Sequence, residues 1–389
     1  MRYYKIFFPV LVLLLLVIPL FHMNMSEITE QENRTLAKFP EIKKKNKLNE
    51  SYGKDFESWL GDRFWGRDQL INVRFKSLYK INGRIENEKA FIGDDGWMFE
   101  KSQTVYVPSL KNQRKQIEKD VQTLKKIINK FKGKNIPIYL VIGNNREMLY
   151  QKYWERYYKP SPRLSYEKEI IQRMSDYHNV KIILVQDELE KMAEEELIFF
   201  KDDSHLTNLA KGFIIQKIFQ KMAEDRVWEE KNVVLKSVKE IKTQEYVANI
   251  SAKLGLAGKT KTTLLEMSLQ LSGLTSKILE TRAFVVQEED NVFKGGIVRP
   301  YVKSVNDKAP VHKTGIFLGS GYAEDAYDVL APLFKTAFKI RHNVQEMGED
   351  AVSFMRKKID ELSDVEQDSI VVMIIGQWSL GELEKLINK

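Results

Sequence analysis

An imidazole close behind two carboxylates is the first pattern in this chain with the makings of a proton-transfer site. In Lys201-Asp202-Asp203-Ser204-His205-Leu206-Thr207, one acid lies two residues before the histidine and another three before it. From a loop, either carboxylate can hold the imidazole Nδ1–H and leave Nε2 as a base, the orienting task an acid performs beside a nucleophile's base. A structural account competes with this one: an acid ahead of a helix caps it, and Gly212 to Met222 reads as helix. A hydroxyl comes later, in Gly319-Ser320-Gly321, directly after the apolar run Ile316-Phe317-Leu318. Such a turn suits the close approach of a substrate, and it is equally a plain tight connection.

The surrounding elements give both stretches a place. Ile117, Val121, Leu124, Ile128 and Phe131 recur at helical spacing, and Lys132-Gly133 stops that helix. Ile136 to Ile142, Val180 to Val185, Ile316 to Leu318 and Ile370 to Ile375 are short, nearly continuous apolar runs, the kind buried on both faces of a parallel sheet. Helical patterns over about 164–177 and 186–196 separate the first of these, and further helical patterns follow the last two. Alternation of this sort predicts an α/β fold with a doubly wound, mostly parallel sheet. In such sheets ligands sit beyond the carboxyl ends of the strands. The acid–histidine stretch and the Gly-Ser-Gly turn both fall there.

Upstream, Phe56, Trp59, Leu60, Phe64, Leu70, Val73 and Leu78 predict one or two helices broken near Gly61 to Gly66, and Phe91 to Phe99 predicts a hairpin with an Asp-Gly turn. At the N-terminus, Arg2 and Lys5 precede the apolar run Ile6 to Phe21, with Glu27, Glu30 and Glu32 beyond it. No small-x-small cleavage site follows the run. We read residues 1–25 as an uncleaved signal-anchor in the cytoplasmic membrane, a single-pass arrangement with the bulk of the chain extracytoplasmic. Residues 26–50 read as a lysine-rich linker, and 51–389 as one domain interrupted by a mostly helical insertion at about 226–295.

Composition narrows the function classes. The chain has 389 residues, 43% of them hydrophobic, which is enough for a substantial core. It has no cysteine, which excludes disulfides and thiolate sites. The net charge of +8 is spread among interspersed signs and leaves no nucleic-acid footprint. The five histidines have no paired spacing, so no metal site is expected. Gly255-Leu256-Ala257-Gly258-Lys259-Thr260 looks like a phosphate loop but carries Lys253 where the first glycine belongs, and no apolar strand leads into it. No cofactor is expected.

Several stretches in order carry a family resemblance. Glu32 to Pro40 (ENRTLAKFP), Phe56 to Asp68 (FESWLGDRFWGRD), Ile92 to Phe99 (IGDDGWMF) and the polar turn Asn145 to Tyr150 (NREMLY) resemble successive segments of the SGNH-hydrolase-like alginate O-acetyltransferase family, the AlgX/AlgJ or DHHW type. Asp203-Ser204-His205 is similar to that family's Asp-x-His-Trp motif with Leu206 in place of tryptophan, and Asp202 to His205 also resembles the Asp-x-x-His block of GDSL-type esterases. The resemblance covers most of the chain outside 226–295.

The resemblance implies an SGNH-type fold and an acyl-transfer triad. His205 would be the base and Asp203 the orienting acid, with Asp202 as the alternative. It also implies a cell-surface or exported polysaccharide as substrate and a membrane-embedded acyl donor of the MBOAT type as partner. The family's Gly-Asp-Ser-aromatic turn is altered here: aligned without gaps on Gly319 and Tyr322, Ser320 takes the aspartate position and Gly321 the serine position. Two readings stay open. In one the turn is shifted by a residue, Ser320 attacks, and backbone N–H groups near Gly319 and Gly321 receive the oxyanion. In the other the chain is a degenerate homologue that binds glycan or scaffolds an acetylation assembly, with Trp154, Tyr157 and Tyr158 as rings for stacking on sugars. Core packing is the simpler account of those aromatics.

Overall fold

Two helices, α1 (Tyr52–Arg63) and α2 (Arg67–Asn82), meet at the expected break, at Phe64-Trp65-Gly66. At the end of α1, Arg63 donates from Nη1 to the carbonyls of Asn24 and Ser26 at 2.9 Å each and from Nη2 to that of Ala37 at 3.2 Å. The neighbouring Asp62 carboxylate accepts the Ala37 N–H at 2.8 Å. The acid–arginine pair of this stretch therefore anchors the backbone that precedes it. Strands β1 (Ala90–Ile92) and β2 (Met98–Glu100) pair antiparallel. Between them Asp95 and Gly96 both take positive φ, 52° and 77°, as an Asp-Gly hairpin turn requires.

The computed structural model describes residues 7–10, 21–26, 34–44, 47–82, 85–132, 136–143, 145–228, 234–246, 260–272, 284–287, 300–341, 349–363, 368–376 and 380–387, with a few single or paired residues between these ranges. Half of the expected anchor, Ile6 to Phe21, lies outside them, and among the described residues no helix is long and apolar enough to cross a membrane. Glu32, Asn33 and most of the Gly255–Thr260 turn also lie outside. The chain divides into two compact units: Met1–Gln103 with Lys201–Asp203 and Glu245–Thr262, and Thr104–Phe200 with Ser204–Gln244 and Thr263–Lys389. The span 51–389, read above as one domain, is shared between them.

The second unit is the α/β layer structure. In chain order it contains α3 (Leu110–Lys132), β3 (Ile138–Ile142), α4 (Arg146–Leu149), α5 (Tyr166–Met174), β4 (Val180–Ile183), α6 (Gln186–Glu195) and α7 (Asn208–Glu224). Two long strands follow, β5 (Val234–Tyr246) and β6 (Thr260–Ser272), the first ending and the second beginning in the other unit. Then come β7 (Phe284–Gln287), β8 (Tyr301–Asn306), β9 (Val311–Gly319), α8 (Gly321–Leu330), β10 (Phe334–Arg341), α9 (Glu349–Ser363), β11 (Ser369–Ile375) and α10 (Leu380–Ile387). Seven strands form one mixed sheet in the order β7-β8-β10-β9-β11-β3-β4. The five strands from β10 to β4 run parallel, while β7 and β8 join antiparallel at one edge. This is an α/β architecture with a mixed, largely parallel sheet.

The continuous apolar runs follow from cover on both faces. Ile138, Leu140, Ile142, Ile316, Leu318, Val371, Met373 and Ile375 pack with α3, α5, α9 and α10 in one core. The alternate residues face the other way: the Tyr139 hydroxyl donates to Asp225 at the end of α7 (3.1 Å), and Phe317 meets Tyr327 of α8 edge-on at 5.7 Å.

One expectation is corrected. The segment 226–295, read as mostly helical, holds β5 and β6, which pair with each other in a two-stranded sheet. Their sequence explains why: Leu265, Met267, Leu269 and Leu271 alternate with Glu266, Ser268 and Gln270, the period-two pattern of a strand.

Candidate active site

The acid–histidine stretch is a loop closed by backbone. Phe199 and Leu206 form an antiparallel bridge, and the Phe200 N–H donates to the His205 carbonyl at 3.3 Å. Leu206, which stands where the family motif has tryptophan, is buried in that bridge. Thr207 locks the exit. Its N–H donates to the Ile198 carbonyl at 2.8 Å and its Oγ1 donates to the Leu197 carbonyl at 2.6 Å. The same oxygen accepts the Ala210 N–H at 3.4 Å as the N-cap of α7. The cap is thus Thr207, and the capping account of Asp202 and Asp203 falls away.

The site residues of this loop divide. Asp203 is buried, at 4% exposure, while Asp202 is half-buried with its carbonyl accepting the Ile250 N–H at 3.2 Å. Lys201 donates from Nζ to the Asp95 carbonyl at 3.2 Å, and its own carbonyl accepts the Met98 N–H at 2.8 Å. These three residues belong to the first unit, and Ser204 and His205 to the second. The His205 side chain is exposed.

A second turn grips the segment that leads into the loop. After β3, Asn145 caps the short helix α4 by accepting the Met148 N–H at 3.1 Å. Arg146, 3% exposed, donates from Nε and Nη2 to the Phe200 carbonyl at 3.2 and 2.9 Å. It also lies 3.5 Å from the buried carboxylate of Glu147. The Tyr150 hydroxyl oxygen accepts the N–H groups of Ile198 at 3.1 Å and Phe199 at 3.5 Å. Burial pushes the Tyr150 phenol above its ordinary range, so it stays neutral. Sequence reasoning placed this turn by resemblance and missed its task; the available signal was a cation and a tyrosine just past a buried strand. Trp154 is fully buried and donates from Nε1 to the Glu147 carbonyl at 2.8 Å, so it packs in the core, while Tyr157 and Tyr158 are half-buried.

The serine turn stands at the carboxyl edge of the sheet. Three adjacent parallel strands, β9, β11 and β3, are followed there by Gly319 (the last residue of β9), Gly376 and Gly143. From β3 the chain passes to β4 on one side, and from β9 to β10 on the other, the reversal at which doubly wound sheets open a crevice. Gly319 is irreplaceable: a Cβ there would lie 2.2 Å from the Ile374 carbonyl oxygen and 2.7 Å from the Ala323 Cβ. Ser320 is extended (φ −81°, ψ −166°) and takes the N-cap position of α8 without a side-chain capping bond. Its Oγ is buried and has no hydrogen-bond partner among the described residues. The hydroxyl is therefore not bonded to His205. Gly321 begins α8, and a Cβ there would meet nothing within 4 Å. Among the described residues, no group of three or more His, Asp or Glu side chains is set to hold a metal ion.

Comparison with known proteins gives these residues a context. Residues 90–269 match the model of the family described as SGNH hydrolase-like domain, acetyltransferase AlgX. That range contains the acid–histidine loop and the Asn145–Tyr150 turn, and it ends before Ser320. No curated protein sequence matches the chain. Among solved structures, the chain is similar to the O-acetyltransferase domain of Pseudomonas putida AlgJ, with 12% identity and a TM-score of 0.47 over 76% of this chain and 92% of that one. It is similar to Bacillus cereus PatB1 at 13% identity and a TM-score of 0.47, over 76% and 97% of the two chains. A DHHW family protein of Eubacterium siraeum gives 14% identity and a TM-score of 0.46, over 78% and 96%.

Proposed function

We infer that this protein, whose residues 90–269 match the model of the SGNH hydrolase-like AlgX acetyltransferase domain, acts in the O-acetylation of a polysaccharide. The observation that carries this reading is that the acetyltransferase match spans Asp203 and His205. The substrate is a cell-surface or exported polysaccharide. The donor is a membrane-embedded acyl carrier of MBOAT type, and the apolar run Ile6 to Phe21 holds the protein at the cytoplasmic membrane with its bulk outside.

The chemistry is two-step acyl transfer. His205 takes the Ser320 proton as Oγ bonds to the acetyl carbonyl carbon, and backbone N–H groups at the turn receive the oxyanion. The donor's leaving group departs with the proton held by the imidazolium. In the second step His205 takes the proton of a sugar hydroxyl, whose oxygen bonds to the acyl carbon. The ester to Ser320 breaks, and Oγ recovers a proton from His205. Asp203, or Asp202 in its place, holds the imidazole tautomer. Oγ and the base must come within hydrogen-bond reach for the first step, since no hydrogen bond joins them at rest.

That resting geometry favours a second reading, a non-catalytic homologue that binds glycan or organises the acetylation assembly. Turnover of 4-nitrophenyl acetate by the full chain in detergent separates the two. We expect Ser320→Ala and His205→Ala each to lose activity by about 10²-fold or more. An inactive wild type with activity appearing in Gly321→Ser would establish the degenerate reading. Activity unchanged in all three variants would discard the site.

A further inference from the structure

The segment Ile198–Phe200 is buried, with exposures of 0%, 3% and 9%, so each of its peptide groups needs a partner inside the protein. The returning chain supplies some: Thr207 N–H reaches the Ile198 carbonyl, and the His205 carbonyl takes the Phe200 N–H. Three more go to two side chains from one turn. Tyr150 accepts from the N–H groups of Ile198 and Phe199, and Arg146 donates twice to the Phe200 carbonyl. The Phe200 peptide is thus held between Arg146 and the backbone of His205 itself.

We propose that Arg146 and Tyr150 are positioning residues for His205, fixing the base by clamping the segment to which its backbone is tied. The proposal rests on the reading of His205 as the base. All the groups in the chain of contacts lie within the second unit. Arginine suits the task because its planar fork places two donors on one carbonyl while its charge is balanced by buried Glu147. Displacing a catalytic group by about 1 Å costs on the order of 10²-fold in rate, so a clamp one peptide away from the base acts on turnover rather than on substrate binding.

The test compares Arg146→Met, Arg146→Lys and Tyr150→Phe in the full chain, by amide hydrogen exchange over residues 197–206 and by 4-nitrophenyl acetate kinetics. We expect exchange in that peptide to rise about tenfold or more in Arg146→Met, with other peptides of the second unit unchanged. We also expect kcat to fall by on the order of 10²-fold with KM within about twofold. Arg146→Lys, which keeps the charge and one donor, should restore part of each effect. A merely structural role would lower the fraction of active molecules and leave kcat per burst-titrated active site at the wild-type value, which would overturn the proposal, as would unchanged exchange in 197–206. If Arg146→Met does not fold, Tyr150→Phe, which removes one oxygen, carries the same readouts. A fully active His205→Ala would overturn the positioning role through its premise. Should the wild type be inactive, exchange alone decides: a rise supports the clamp and no change overturns it.

Discussion

Around His205 the backbone is held by side chains reaching in from elsewhere: Arg146 on the Phe200 carbonyl, Tyr150 on two N–H groups, Thr207 across the loop's base. Around Ser320 the backbone is fixed by the sheet, and no described residue bonds to the side chain. Gly319 is wedged against β11, the Ser320 hydroxyl makes no hydrogen bond among the described residues, and the space at Gly321 is open. One half of the candidate site is specified by many contacts that each tolerate little change. The other is specified by one missing methyl group. The two halves should therefore fail in different ways when altered.

The largest expected effect is at Gly319→Ala, where the new methyl meets a backbone carbonyl at 2.2 Å and no rotamer relieves it. We expect a loss of about 3 kcal/mol or more in urea unfolding; a loss under about 1 kcal/mol would show that β9 and β11 part easily and that the serine side is less fixed than described. On the histidine side, pH is the lever. Glu167 of α5 is buried at 6% exposure, its Oε1 makes no hydrogen bond among the described residues, and its carboxyl is pushed up to about 7 from 4.5. Burial is the main cause, followed by Asp187 and Glu190, with Lys168 opposing and Glu188 adding to the rise. Asp187, Glu188 and Glu190 lie on α6, the helix that leads into Ile198–Phe200. Between pH 4.5 and 7 the folded state binds more protons at this group than the unfolded chain, so stability falls as pH rises through that window and levels off above it. The fall amounts to on the order of 3 kcal/mol. Unfolding measured at pH 5 and pH 8 should show it in the wild type and lose it in Glu167→Gln; the same slope in both would assign it to other groups.

Smaller effects sharpen the contrast. Thr207→Ala removes the α7 cap and the partner of the Leu197 carbonyl, and should cost about 1–2 kcal/mol in thermal or urea unfolding. Gly321→Ala fills open space at the first position of α8 and should change stability by less than about 1 kcal/mol, in the stabilising direction. A clear destabilisation by Gly321→Ala would mean that the serine side is as tightly specified as the histidine side.

The sheet was legible wherever cover on both faces leaves a continuous apolar run, as in β3, β9 and β11. Strand β10 was not, because Phe334, Ala337 and Phe338 fall at spacings of three and four that imitate a helix. The strands β5 and β6 were hidden by residues that favour helices, Lys and Glu in β5 and Leu, Met and Gln in β6, although the alternation after Leu265 was present to be read. At the site, the acid–histidine spacing announces a base and its acid, and the glycine turn announces a tight approach. The clamp could not be seen in the sequence, because Arg146 and Phe200 are 54 residues apart and only the fold makes them neighbours.

Open space at one position also bears on the history of such a site. Two of the four glycine codons become serine codons by a change of one base, and at Gly321 the added Cβ meets no atom within 4 Å beyond its own helical turn. A hydroxyl here can be acquired or discarded in a single mutational step that selection for folding does not see. The architecture and the catalytic state of the turn are thus inherited separately, and a lineage can keep the first unchanged while the second drifts.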